Sequence, residues 1–324
     1  MKKIMGLIRT ILATLICMCG IGSVAPANAQ QYLRIGTGGT AGTYYPIGTW
    51  IAGIVSQPGK ILATAQASNG SLGNVIAVTS GALETGFSQA DVATWAKNGT
   101  GIFEGRPSLP SLRLIANLYP ESLHVVVRKG SGIRTVADLK GKRVALDEPG
   151  SGTLVSARQV LSAYGLKEGD IRPEYIKPNQ AGDKLLAGSL DAFFFTGGTP
   201  ASAIADLASA GVGIALLPID GPPAERLLRD NHFMQVDTIP AGTYEGVAAI
   251  KTLAVGAQWV TSEKIDADLI YQVTKALYGE AGQKALANGH PKGKYITLGN
   301  AVKGAGIPFH PGAERYFREV GALR

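Results

Sequence analysis

Three glycine-rich turns hold the residues whose types could bind a ligand. The first, Gly36-Thr37-Gly38-Gly39-Thr40-Ala41-Gly42-Thr43-Tyr44-Tyr45-Pro46, lies between the apolar run Tyr32 to Ile35 and a helix expected over Ile47 to Val55. The second, Glu148 to Thr153, opens a helix expected over Leu154 to Tyr164, and the third, Thr196-Gly197-Gly198-Thr199-Pro200, ends the apolar run Asp191 to Phe195. Such turns leave backbone N–H groups unpaired at a helix start, where the aligned peptide dipoles favour an anion. Two shorter polar turns, Ser68-Asn69-Gly70-Ser71 and Ser88-Gln89, also sit at expected strand exits. The candidate ligand-binding residues are therefore Thr40, Gly42, Thr43, Tyr44, Asn69, Ser71 and Gln89 in the first half, and Ser151, Gly152, Thr153, Thr196 and Gly197 in the second. Adjacent tyrosines at a helix entry point in different directions, so one of Tyr44 and Tyr45 can pack inward while the other faces a cleft.

Other chemistries lack their partners. Gly36-x-Gly38-x-x-Ala41 resembles a dinucleotide fingerprint, but that motif needs an acid about 20 residues on, and the first Asp or Glu after Tyr32 is Glu84. A phosphate-binding loop would need a glycine-lysine-Ser/Thr tripeptide at a helix start. A hydrolase elbow would need glycine two residues before Ser151, where Pro149 stands, so Ser151 reads as a helix cap. His124, His232, His290 and His310 are isolated, with none of the paired spacing of a metal site. No metal, no cofactor and no catalytic residue is expected.

The elements that must position these turns alternate short apolar runs with helical periods, which predicts an α/β architecture. Strands are expected at Tyr32–Ile35, Ile61–Ala67, Leu83–Phe87, Leu112–Leu118, Leu123–Arg128, Tyr175–Lys177 and Asp191–Phe195, and a long extended run over Val247–Val260. The strand, glycine turn, helix device occurs in two blocks. In each, parallel strands would open their polar turns on the carboxyl edge, where open α/β sheets bind ligands. Two lobes follow: residues 30–125 plus 239–324, and residues 126–238. Crossings near Leu123–Arg128 and Gly242–Val255 would form the hinge.

The N-terminus bears on location. Lys2, Lys3 and Arg9 precede an apolar run from Ile11 to Ile21, and Ala27-Asn28-Ala29 follows, the layout of a signal peptide spanning residues 1–29 and cleaved before Gln30. The apolar run is shorter than the ~20 residues a bilayer span requires. An exported soluble protein is expected. Cys17 and Cys19 both lie in this segment, so residues 30–324 contain no cysteine and no disulfide. The formal charge of +7 includes three cations from the leader and no acid, leaving +4 for the remainder. Its lysines and arginines are scattered and form none of the runs that track a nucleic acid backbone, so no nucleic acid partner is expected.

Together, Gly38 to Pro46, Gln89-Ala90-Asp91, Tyr119 to His124, Asp138 to Val144, Gly150 to Thr153 and Asp191 to Phe194 resemble the TAXI family, the solute receptors of tripartite ATP-independent periplasmic (TRAP) transporters. Ile239 to Tyr244 and Pro308 to Tyr316 extend the resemblance to the C-terminus. It implies a two-lobed, type II periplasmic-binding-protein fold whose cleft takes a small organic anion or amino acid. It also implies a carboxylate-bearing ligand such as glutamate, glutamine or 2-oxoglutarate, and delivery to TRAP membrane permease subunits. A receptor that signals to a sensing partner would have the same fold; an exported hydrolase would need a nucleophile, base and orienter that the sequence does not offer. The glycine turns contain no arginine to clamp a carboxylate bidentately, which leaves the anion to N–H groups and hydroxyls.

Overall fold

The computed structural model describes residues 30–211 and 213–324. The expected signal peptide, with both cysteines, lies outside them. Among the described residues no helix is long and apolar enough to cross a membrane.

In the first block β1 (Gln31–Gly36), α1 (Tyr44–Val55), β2 (Ile61–Gln66), α2 (Ser71–Ser80), β3 (Thr85–Gln89) and α3 (Ala90–Asn98) follow in order. β1 lies between β2 and β3, parallel to both. Helix α1 begins at Tyr44, three residues before the expected start, because Pro46 fits a first turn whose N–H groups have no intrahelical acceptor. Its residues Ile47, Ile51 and Val55, one per helical turn, are fully buried against Leu33 and Ile35 of β1. Each such side chain is worth roughly 1.5–3 kcal/mol.

A single strand, β4 (Leu112–Arg128), then runs where two were expected. Pro120 hides the continuity: it cannot donate to a ladder, and it sits opposite Gly256 where the register slips, the place a central sheet tolerates proline. The second block repeats the first. β5 (Arg143–Ala145), α4 (Gly152–Ala163), β6 (Arg172–Glu174), α5 (Pro178–Leu186), β7 (Ala192–Gly197) and α6 (Ser202–Ser209) place β5 between β6 and β7, again in parallel. The strand expected at Tyr175–Lys177 lies three residues earlier, and those residues form the loop into α5. The short β8 (Ile214–Leu216) pairs with β4, and α7 (Gly221–Asp230) leads to β9 (Met234–Ile239), which the sequence reading missed. The chain returns through β10 (Ile250–Ser262), then α8 (Ala267–Tyr278), α9 (Glu280–Asn288), α10 (Leu298–Ala301) and α11 (Pro311–Glu319).

The sheet order is β2-β1-β3-β10-β4-β7-β5-β6, with β9 on β10 and β8 on β4. Two parallel wings thus flank an antiparallel pair, β4 and β10, that crosses between them. The apolar clusters follow this division in part. One gathers α1, α8 and α11 around Phe87 and Trp259; two others gather residues between Leu123 and Val255, one of them with Ala90, while a fourth joins first-wing residues such as Val75 and Val92 to Val155 of α4.

Candidate functional site

Six strand ends converge on one cavity. Its wall comes from the turns after β1 (Gly38 to Tyr44), β2 (Ser68 to Ser71), β3 (Gln89), β5 (Asp147 to Thr153), β6 (Lys177 to Asn179) and β7 (Phe195 to Gly197), with Glu121 of β4 between the wings. The space is about 610 Å³, mouth included, within the range of small-molecule sites. Eleven of the twelve residues singled out from the sequence line it. Thr40 does not. It is exposed and lies on an outer groove with Tyr45 and Trp50, because the turn at Gly39 to Gly42 carries its side chain away from the cavity.

The first wing supplies uncharged groups. The Thr43 hydroxyl donates across the cleft to the Gly198 carbonyl at 2.6 Å. Tyr44 is the inward tyrosine: it packs edge-on against Phe87, and its Oη donates to Glu121 Oε2 at 2.7 Å. Ser71 Oγ accepts the Gln89 N–H at 3.1 Å, fixing the exit of β3 against the start of α2. Behind them Asn74 Nδ2 lies within bonding distance of the carbonyls of Gly36, Thr37 and Phe87, at 3.1, 2.7 and 2.8 Å, and so ties the ends of β1 and β3 together.

The second wing supplies charge. Asp147 has φ 70°, the left-handed region, which an aspartate tolerates better than most residues. Its carboxylate accepts the Glu148 N–H at 2.8 Å, and desolvation pushes its pKa up to about 6. Glu148 pairs with Lys177 at 3.6 Å. Ser151 caps α4 by accepting the Leu154 N–H at 3.1 Å, and Thr153 Oγ1 accepts the Thr196 N–H at 3.1 Å. Gly152 and Thr153 occupy the first helical positions of α4, where N–H groups have no intrahelical acceptor.

Between the wings Glu121 is fully buried. Desolvation pushes its pKa up to about 8, against the Tyr44 hydrogen bond and the field of Lys292, both of which favour the charged form. Asp91, buried at the start of α3, is pushed up to about 6 by desolvation, although it accepts the Val92 N–H at 2.7 Å. His124 is buried under Phe195, with Nε2 3.1 Å from Tyr244 Oη and Nδ1 2.9 Å from the Ser122 carbonyl. Desolvation brings its pKa down to about 4, so it stays neutral as a link between β4 and the strap at Tyr244. His290 and His310 serve as helix caps, accepting the N–H groups of Lys292 and Gly312. Among the described residues no His, Cys, Asp and Glu are grouped to hold a metal.

The wings touch across the cavity. Asn69 Nδ2 donates to the Pro149 carbonyl at 3.3 Å, the Gly73 N–H to the Gly150 carbonyl at 3.1 Å, and Gln89 Nε2 to Ser156 Oγ at 3.3 Å. The Ala203 N–H and the Ser202 hydroxyl both reach the Ala41 carbonyl. Gly152 permits this approach: a Cβ there would stand 2.2 Å from Gln89 Oε1 and 2.6 Å from Ser71 Oγ.

Glu121, Asp147, Glu148, Lys177 and Asn179 escaped the sequence reading. Glu121 sits in an apolar strand that Pro120 made look broken. Asp147 and Glu148 precede the glycine of their turn, and Lys177-Pro178-Asn179 is a helix start that reads as a strand end. An acid inside an otherwise apolar strand was the available signal for Glu121.

Two parallel wings whose strand ends close on a shared cavity define the two-lobed periplasmic-binding-protein fold. The chain belongs to the NMT1-like family, whose model matches residues 35–321. The chain superposes on PhnD1 from Prochlorococcus marinus (MIT 9301), solved with methylphosphonate, with a TM-score of 0.52 at 9% identity, covering 90% of this chain and 99% of that one. A protein from Bordetella bronchiseptica RB50 gives a TM-score of 0.53 at 16% identity, covering 91% and 82%. In sequence, a putative aliphatic sulfonates-binding protein of Escherichia coli (strain K12) is 38% identical over 74 residues, 23% of either chain.

Proposed function

We propose that the protein is an exported solute receptor that closes on a small carboxylate-bearing solute and delivers it to a TRAP-type membrane permease. The observation that carries this reading is the convergence of six strand ends on one cavity, with the starts of α1, α2 and α4 among its lining. Helices α1, α2 and α4 aim their N-termini at it, so an anion there gains both N–H donors and the dipole field. The ligand-binding set is Gly42, Thr43, Tyr44, Asn69, Ser71 and Gln89 on one lobe, with Ser151, Gly152, Thr153, Thr196 and Gly197 on the other. The lobes are residues 30–125 plus 239–324 and residues 126–238, and the signal peptide is cleaved before Gln30. The carboxylate and the permease rest on the TAXI resemblance. The sulfonate in the name of the Escherichia coli relative is an anion suited to the same N–H groups. Closure is a population shift: the ligand favours the closed form by the contacts it makes only there.

A thermal-shift screen of purified protein against amino acids, small carboxylates and sulfonates tests the reading. A ligand at 100 times its Kd stabilises by about 2.7 kcal/mol, a clear rise in melting temperature. Ser151→Ala and Thr153→Ala should weaken the hit in calorimetry, and unchanged affinity would remove the second lobe from the site. Failure of every acid to shift the transition would sink the anion receptor.

A further inference from the structure

Glu121 is one of three acids in the cavity wall, and the protein leaves it half-partnered. One oxygen, Oε2, accepts the Tyr44 hydroxyl at 2.7 Å; Oε1 takes no hydrogen bond from the protein, and the side chain forms part of the cavity wall. Among the described residues no lysine or arginine pairs with it. Around it stand Tyr44 from α1, Asp91 at the start of α3, Tyr119 two residues away on β4, and the buried Lys292, whose ammonium lies 5.0 Å from the centre of the Tyr295 ring. A carboxyl group withdrawn from water without a charged partner is costly to keep. The wall as a whole leans the same way. It holds three carboxylic side chains, Glu121, Asp147 and Glu148, against one lysine, Lys177, which Glu148 already engages. An anion with nothing else to offer would meet the helix starts favourably and this acidic side unfavourably.

Given the reading of the cavity as the solute site, we propose that Glu121 is a specificity-determining residue that accepts a hydrogen bond from a cationic group on the ligand, so that the site selects acids that also carry an ammonium over acids that do not. The helix starts of α1, α2 and α4 hold the anionic end, and Glu121 Oε1 holds the amine. Tyr44 fixes the carboxyl rotamer by its bond to Oε2. The pKa of about 8 in the empty cavity agrees with this, since a buried carboxyl that awaits a cation is held towards its neutral form until one arrives.

Matched pairs test it by calorimetry on the mature chain: L-glutamate with glutarate, L-leucine with 4-methylpentanoate, and taurine with ethanesulfonate. In the pair that binds, the aminated member should bind about 10- to 100-fold tighter, the range for a charge-assisted hydrogen bond. Glu121→Gln should shrink that ratio by about tenfold or more, and Glu121→Asp, which keeps the charge, should retain part of the ratio. Equal affinity of both members for the wild-type protein, or an unchanged ratio in Glu121→Gln, overturns the role of Glu121 and leaves the receptor reading standing. The wild-type ratio decides the matter alone where a variant fails to give the native circular dichroism spectrum. Binding of no member of any pair removes the anion-receptor reading and this selectivity with it.

Discussion

The two wings of the sheet are built alike and furnished differently. In each, the first strand lies between the second and the third, a helix follows every strand, and the polar turns open on the carboxyl edge. The first wing brings hydroxyls, amides and backbone groups to the cavity, and the second brings Asp147, Glu148 and Lys177. The first wing is therefore a cradle whose shape is set from behind, and the second is a charged face set against it. The difference lies in side chains at strand exits, because the backbone device is common to both.

Removing the support behind the cradle should have the largest effect. Asn74 is fully buried, and its amide serves three carbonyls at the ends of β1 and β3. Asn74→Ala removes that donor from all three and leaves the Thr37 carbonyl only the Ser68 hydroxyl at 3.0 Å, at a cost of about 3 kcal/mol. The melting temperature should fall by roughly 6–12 °C, taking 2–4 °C per kcal/mol for a chain of this order of size. A fall of under about 2 °C would show that the cradle is held by its strands alone.

Gly152→Ala addresses the charged face. Alanine suits a helix start, and the lobe movement of the proposed function would relieve the added methyl, so the protein should still fold. In the closed form the added methyl meets Gln89 Oε1 and Ser71 Oγ. Overpacking of this kind costs about 1–3 kcal/mol, which predicts a 10- to 100-fold loss of ligand affinity in calorimetry with an unchanged circular dichroism spectrum. Unaltered affinity would mean that the wings bind ligand without approaching this closely.

The acids between cradle and charged face give a pH dependence of defined sign. Glu121 has its pKa raised to about 8, and Asp91 and Asp147 to about 6. A carboxyl group whose pKa is raised on folding holds a proton that the unfolded chain has released, so the folded state loses stability as pH rises between the two values. For Glu121 that window runs from the ordinary glutamate pKa, about 4.3, up to about 8. Below pH 6.5 the neutral His124 acts in the opposite sense, so the melting temperature of the ligand-free protein should decline from about pH 7 to pH 8, and Glu121→Gln should flatten that decline. A rise over the same interval would place Glu121 in water.

Much of the frame was legible in sequence because glycine turns and hydrophobic period are local signals. The parallel strands of the first wing, the helix cap at Ser151 and the three glycine turns needed only their own neighbours. What stayed hidden depended on distant partners. β4 looked like two strands because its slip around Pro120 is set by pairing with β10, more than 130 residues away. Asn74 reads as an ordinary polar residue of a helix until β1 and β3 place their carbonyls around it. Arg143 is one of many scattered cations in the sequence, yet it fastens β5 to the start of β7 through Asp191. Thr40 had the right composition and the wrong direction, which only the path of the turn decides.

That fastening recurs in both wings and gives the smallest and most even effect. Arg34 of β1 donates to Glu84 through its backbone N–H at 2.8 Å, Nε at 2.9 Å and Nη2 at 2.6 Å. Arg143 of β5 does the same to Asp191 at 2.8, 3.1 and 2.6 Å. Each pair joins the first strand of its wing to the residue just before the third. The arginine bonds hold Asp191 below the usual carboxylate range; at Glu84 desolvation opposes them but is outweighed. An acid with a lowered folded pKa stabilises the fold above its unfolded pKa, and that contribution disappears as pH falls through the folded value. Because both pairs are partly exposed and screened, Arg34→Gln and Arg143→Gln should each lower the melting temperature by only about 1–2 °C at pH 7. The two losses should be alike, and both should shrink as pH falls through the lowered pKa of each carboxyl group. A loss several times larger in one wing would break the equivalence of the two frames and locate a mechanical difference that their shared topology does not contain.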